Sequence, residues 1–135
     1  MKRLFLDTNF IIDYLLRDEF KQDWINLLAK GKRDGYSFHI SFLSVANFAY
    51  IARKAPKEDL YGYIARLSKL FSVVPNNARQ LERAMALDAR DFEDALQYQS
   101  AIDAKCDFII TRNQKDFPFS TIPVMSASDY VDTYF

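Results

Sequence analysis

The sequence predicts an α/β domain of three layers, with a central parallel sheet of four to five strands flanked by helices. Two observations carry that expectation. Short apolar or β-favouring runs recur at residues 3–7, 36–42, 71–74, 107–111 and 121–125, and segments of helical period separate most of them, so that strands alternate with helices. The composition supplies the core: of 135 residues, half are hydrophobic and 16% are aromatic. A chain of this length buries roughly two thirds of the surface its unfolded form exposes, so residues 1–135 are expected to form a single domain.

Each element has a local reason. Residues 3–7 read as a buried strand, and residues 9–16 as a helix that Thr8 or Asn9 can cap. Residues 19–33 place Phe20, Trp24, Leu27 and Leu28 at helical spacing, with Gly31 and Gly35 as punctuation at the end. The aromatic and β-favouring run 36–42 is the second strand, after which Ser41 or Ser44 can cap a helix through Val45, Phe48, Ile51 and Ala52 that closes at Pro56. Residues 57–70 form an amphipathic helix, and residues 71–74 a short strand stopped by Pro75. Residues 78–87 and 91–105 are two further helices. Residues 107–111 are a buried strand, 121–125 a short one and 126–134 a terminal helix. The chain has no internal repeat or low-complexity segment.

Composition excludes several functions. Eighteen basic and eighteen acidic side chains give zero formal charge, unlike the strongly basic balance of a dedicated nucleic-acid binder. The one cysteine, Cys106, has no internal partner. No apolar run approaches the roughly 20 residues that cross a bilayer, and the first apolar stretch is broken by Asp7 and Asp13 without a cleavage pattern. The expected setting is the cytoplasm.

A parallel sheet brings the C-terminal ends of its strands, and the N-terminal ends of the following helices, to one rim. Asp7 leaves the first strand there; Ser44 and Asn47 begin the helix after the second; Asp91, Glu93 and Asp94 begin another helix; Thr111, Asn113 and Asp116 follow the strand 107–111. Asp7, Asp94 and Asp116 are the three joined first. Clustered carboxylates repel unless a cation neutralises them or their pKa values rise. An all-oxygen site suits Mg²⁺ or Mn²⁺, and the chemistry it implies is hydrolysis of a phosphodiester by a water that the cation acidifies. Each acid also has a structural reading: Asp7 can cap the first helix, Asp91 can cap the Asp94 amide, and Asp116 can organise a turn before Phe117-Pro118.

The motifs Leu4-Phe5-Leu6-Asp7-Thr8-Asn9, Asp91-Phe92-Glu93-Asp94-Ala95-Leu96-Gln97 and Asp107-Phe108-Ile109-Ile110-Thr111-Arg112-Asn113-Gln114-Lys115-Asp116-Phe117, in this order and spacing, resemble the PIN-domain nucleases over nearly the whole chain. The resemblance implies a PIN-like fold, a Mg²⁺- or Mn²⁺-dependent ribonuclease site acting on RNA, and a homodimer. Many small bacterial members are VapC-like toxins restrained by an antitoxin protein. Carried over by position, Asp7, Asp94 and Asp116 are the catalytic, metal-holding acids. Asn113 stands where some relatives have Asp, and Thr8, Asn9 and Thr111 match polar positions that orient ligands or water. The chain departs from the family at Asn47, where a Glu is common. An amide oxygen can ligate a cation but brings no charge, and Asp91 can supply one instead. The alternative function is therefore a catalytically weakened PIN-like module that binds RNA or a protein. An unrelated phosphotransfer or receiver-like domain is a third class, without the required strand-end phosphoacceptor and late lysine.

Other conspicuous residues have plainer expectations. His39 is the sole histidine, inside a strand, and Cys106 precedes a buried strand; both are expected to pack. Trp24, Phe42, Phe48, Tyr50, Tyr61 and Tyr63 can make a docking surface, but their helical spacing favours the core. Two basic clusters, Lys30-Lys32-Arg33 and Arg53-Lys54-Lys57, suit either phosphate binding or solvated helix ends. Arg112 and Lys115 flank Asn113 and Asp116, where a phosphate needs countercharge.

Overall fold

In the computed structural model, which describes residues 2–135, the first apolar run occupies the middle of the sheet: Leu4, Phe5 and Leu6 of β1 (Arg3–Leu6) have no exposed surface. β2 (Ser37–Ser41) and β3 (Ser72–Val74) lie to one side of it, and β4 (Phe108–Ile110) and β5 (Val124–Met125) to the other, giving the order β3-β2-β1-β4-β5. Every pairing is parallel, with Phe5 opposite His39 on one side and Ile109 on the other. The chain winds outward from β1 to β3 and then returns to build β4 and β5 on the far side. That reversal puts a crevice outside the C-terminal ends of β1 and β4, the place where open α/β sheets bind ligands.

Among the described residues, seven α-helices cover the sheet: α1 (Thr8–Leu16), α2 (Lys21–Arg33), α3 (Phe42–Ile51), α4 (Lys57–Leu70), α5 (Ala78–Ala86), α6 (Phe92–Asp103) and α7 (Ala127–Tyr134). Strand alternation assigns the faces. Leu4, Leu6, Phe108 and Ile110 point to a core shared with Phe10 and Ile11 of α1, Trp24 of α2, Phe48 of α3, Leu67 of α4 and Tyr130 of α7. Phe5 and Ile109 point the other way, to Tyr98 and Ala101 of α6. This is the expected three-layer arrangement.

Several boundaries differ from the sequence reading, each for a local reason. The side chain that caps α1 is that of Asp7, not Thr8 or Asn9, because the helix begins one residue earlier, at Thr8, and α3 is capped by Ser41. Gly31 lies inside α2, where an added methyl group would collide with the Phe38 ring; Gly35, at φ +80°, makes the turn beyond the helix end. Phe71 closes α4 and is not part of β3. α6 stops at Asp103 because Lys105 takes a left-handed conformation at φ +56°. β5 shrinks to two residues because the Ser120 hydroxyl donates to the Ile122 carbonyl and accepts from its amide, making a turn of that stretch. A 3₁₀ turn, Gln114–Asp116, follows β4.

His39 is buried with its Nε2 2.9 Å from the Ser37 hydroxyl, and Cys106 is buried too, its thiol pushed up to about 12 by that burial. The aromatics divide. Trp24 and Phe48 are core, whereas Phe42, Tyr50 and Tyr61 are 58%, 66% and 60% exposed, against the expectation from spacing. The reason is that α3 and α4 pack by a single stripe each, and these rings fall outside it. Among the described residues no helix is long and apolar enough to cross a membrane.

Candidate metal centre

Asp7 is the hinge between β1 and α1. Its amide donates to the Ile110 carbonyl at 3.1 Å, continuing the β1–β4 ladder by one residue, while its extended backbone (φ −68°, ψ 162°) turns the carboxylate over the helix N-terminus. There Oδ1 accepts from the Thr8 amide at 2.8 Å and Oδ2 from the Thr111 hydroxyl at 3.0 Å. Thr111 is itself fixed: its amide donates to the Met125 carbonyl at 3.0 Å, and its hydroxyl accepts from the Asn113 amide at 3.2 Å. One carboxylate thus bridges β1, α1 and the loop after β4 at the point where the strand order reverses.

A layer of neutral polar groups lies below. Gln97 of α6 has no exposed surface; its Nε2 donates to the Thr8 hydroxyl at 2.7 Å and the Ser44 hydroxyl at 2.8 Å, and its Oε1 accepts from Ser41 at 2.7 Å. Ser41 caps the Ser44 amide at 2.9 Å. The amide of one side chain therefore ties α1, the β2–α3 junction and α6 together. Sequence reasoning missed Gln97 as a positioning group; its one signal is the i, i+3 spacing from Asp94, which puts both on the same face of α6.

Asp7, Asp94 and Asp116 line a common cavity of about 410 Å³, and so do Thr8, Asn9, Asn47 and Asp91. Asp91 also plays its structural part, its Oδ1 accepting from the Asp94 amide at 3.3 Å. Glu93 joins the lining, a further carboxylate that the sequence placed on the rim without assigning it to the site. Thr111 stands behind Asp7 with no exposed surface. Arg112 and Asn113 are not brought to this cavity. They line a neighbouring hollow with Phe20, Trp24 and Ser126, where the Arg112 Nε donates to the buried Asp13 and its guanidinium lies 4.6 Å over the Phe20 ring.

No lysine or arginine lines the acidic cavity among the described residues. Three of its carboxylates, Asp7, Glu93 and Asp94, are raised above the ordinary carboxylate range. Burial is the main cause at Asp7, 4% exposed, where it outweighs the Thr111 and Thr8 hydrogen bonds and raises the pKa to about 6. Burial, followed by repulsion from Asp91, Asp7, Asp116 and Glu93, raises Asp94 to about 7. Glu93 is raised by burial and by Asp91. These oxygens, with the Asn47 amide, are the hard donors that Mg²⁺ or Mn²⁺ takes. As they stand, no three acidic, histidine or cysteine side chains among the described residues are drawn close enough to hold an ion. The donor chemistry, five carboxylates and an amide around one cavity, fits a divalent cation.

Three solved structures share the fold. VapBC2 from Rickettsia felis, bound to a DNA fragment from its promoter, is similar with a TM-score of 0.73 at 16% identity, over 92% of this chain and 97% of that one. A toxin–antitoxin complex from Klebsiella pneumoniae gives 0.64 at 22% identity, and FitAcB from Neisseria gonorrhoeae 0.66 at 17%, both over the same shares. No curated protein matches the chain in sequence. Residues 3–115 match the family profile described as PIN domain, from the start of β1 into the 3₁₀ turn that follows β4. With the parallel order β3-β2-β1-β4-β5 and the acids at its reversal, the chain belongs to the PIN-domain family.

Proposed function

We propose that this chain, as a single domain, is a metal-dependent endoribonuclease that hydrolyses RNA phosphodiester bonds and serves as the toxin of a toxin–antitoxin pair. The observation that carries the reading is a cavity with five carboxylates and no cationic side chain, at the switch point of the sheet. Asp7, Asp94 and Asp116 would hold Mg²⁺ or Mn²⁺, with the Asn47 oxygen as a neutral donor. When bound, the cation offsets phosphate charge and acidifies water. The chain's part is placement: Thr8 and Thr111 fix both oxygens of Asp7, Gln97 fixes Thr8, and Asp91 fixes the first turn of α6 from which Asp94 projects. Glu93 brings to the cavity the charge that Asn47 does not. The similar structure from Klebsiella pneumoniae, described as a toxin–antitoxin complex, supports an antitoxin protein as partner. Leu81 and Met85, one helical turn apart and exposed on α5, offer a surface for a homodimer.

Asn47 favours a second reading, a module that binds RNA or protein without cutting. A cleavage assay separates the two. The purified chain with Mn²⁺ is expected to cut a fluorescent single-stranded RNA, EDTA to stop it, and Asp7→Asn to slow it at least about 100-fold, because an oriented carboxylate of the metal site is lost. Cutting that persists in EDTA or in Asp7→Asn overturns the nuclease assignment.

A further inference from the structure

We propose that the corner between α3 and α4 is a platform for single-stranded RNA, on which bases stack before a phosphate reaches the acidic cavity. The inference rests on the reading of RNA as the ligand of that cavity. Tyr50, near the end of α3, lines the cavity and is 66% exposed. The Arg53 guanidinium lies 4.0 Å over its ring, and Arg53 Nη1 donates to the Tyr50 carbonyl at 2.8 Å, so the cation is held against the aromatic face by its own backbone turn. The arrangement is repeated at the start of α4, where Lys57 Nζ lies 5.5 Å over the ring of Tyr61, itself 60% exposed. Only residues 52–56 separate the two helices.

Each half of this pattern answers one part of a nucleotide. Tyrosine rings and guanidinium planes accept unpaired bases by stacking, and a cation beside each ring meets the flanking phosphate. Net charge does not make the case, since Glu58 and Asp59 stand in the same first turn of α4 as Lys57. The pairing of each open ring with a cation does. The corner also complements the cavity it borders: the acids repel a phosphate chain except at a bound cation, while Arg53, Lys54 and Lys57 draw it alongside. A duplex hides its base faces in its own stack, so the platform selects single strands.

The test is fluorescence anisotropy on the full chain carrying Asp7→Asn, with Mg²⁺, so that the RNA remains whole. The probes are a labelled ten-nucleotide poly(U) and the same strand annealed to poly(A). Tyr50→Ala and Tyr61→Ala are each expected to weaken the single strand about tenfold and to leave the duplex unchanged. Arg53→Ala is expected to lower the salt slope of single-strand binding by about 0.7, one phosphate contact. Sedimentation velocity is run on each variant. Unchanged affinity for the single strand, an equal loss on the duplex, or a change of oligomeric state in place of a change of affinity overturns the proposal. Binding is read without cleavage, so a chain that cuts nothing yet loses single-strand affinity in these variants refutes the nuclease reading and leaves the platform standing.

Discussion

Replacing Arg112 with Met should destabilise the chain strongly, and the structure sets the size of the effect. Asp13 has no exposed surface. Its Oδ2 accepts from Arg112 Nε and from the Trp24 indole at 3.2 Å, while its Oδ1 is buried without a hydrogen-bond partner. Arg112→Met keeps most of the apolar stem but leaves this carboxylate with one neutral donor. Breaking one side of a buried ion pair costs about 3–5 kcal/mol, and losing the cation over Phe20 adds roughly 0.5–1 kcal/mol. Asp13→Asn should cost less, about 1.5–3 kcal/mol, because Arg112 is 25% exposed and can turn to water whereas Asp13 cannot. Asp13→Leu with Arg112→Met should recover part of the loss, since no buried charge remains. Urea denaturation at 25 °C measures all three, read by the single tryptophan, Trp24, and independently by far-ultraviolet circular dichroism. A cost below about 1 kcal/mol for Arg112→Met, or a larger cost for Asp13→Asn than for Arg112→Met, refutes the reasoning.

Two other outcomes follow from the same structure. Gln97→Leu removes three hydrogen bonds of 2.7 to 2.8 Å and leaves Thr8, Ser41 and Ser44 under-satisfied, so it should cost about 2–4 kcal/mol in urea; a loss under 1 kcal/mol would show that the hydroxyls satisfy one another. The metal-free chain should become less stable as pH rises from 5 to 8. Asp7 and Asp94 are raised from 3.8 to about 6 and about 7, so the folded state keeps protons that the unfolded state releases, and the stability this gives is full below pH 4 and lost through those two values. Asp7 alone accounts for up to about 3 kcal/mol, and saturating Mn²⁺ should flatten the dependence; an EDTA-treated chain whose Tm does not fall between pH 5 and 8 contradicts the assignment.

The rim of acids was legible in the sequence because one geometric rule suffices for it. Parallel strands joined by helices must all end on the same edge, so Asp7, Asp94 and Asp116 were bound to share it whatever the order of the strands. Three other features were not legible. Asp13 meets Arg112, 99 residues away, only because β4 lies beside β1, which no local pattern announces. Glu93 faces the cavity because the Asp91 cap fixes the rotation of the first turn of α6, and a one-residue change of cap would swing it away. Gln97 carries no charge and sits in a run that also reads as helix interior, so its partners on α1 and at the β2–α3 junction are tertiary facts.

Asp7 and Asp13, six residues apart, show how the chain treats a buried carboxylate in two ways. Asp13 is met by the arginine that follows β4, by an indole and by the aromatic ring stacked on that arginine. Asp7 is met by an amide and a hydroxyl, with no cation beside it. The loop after β4 serves both, Thr111 turning to Asp7 and Arg112, the next residue, turning away to Asp13. A fold that needed only to satisfy Asp7 had a guanidinium within one residue of it and placed that group elsewhere. The charge on Asp7, Asp91, Glu93, Asp94 and Asp116 is thereby left for something from solution to neutralise. A carboxylate at Asn47 would be a sixth on one cavity, whereas the amide offers an oxygen without adding to the repulsion that, after burial, raises Asp94.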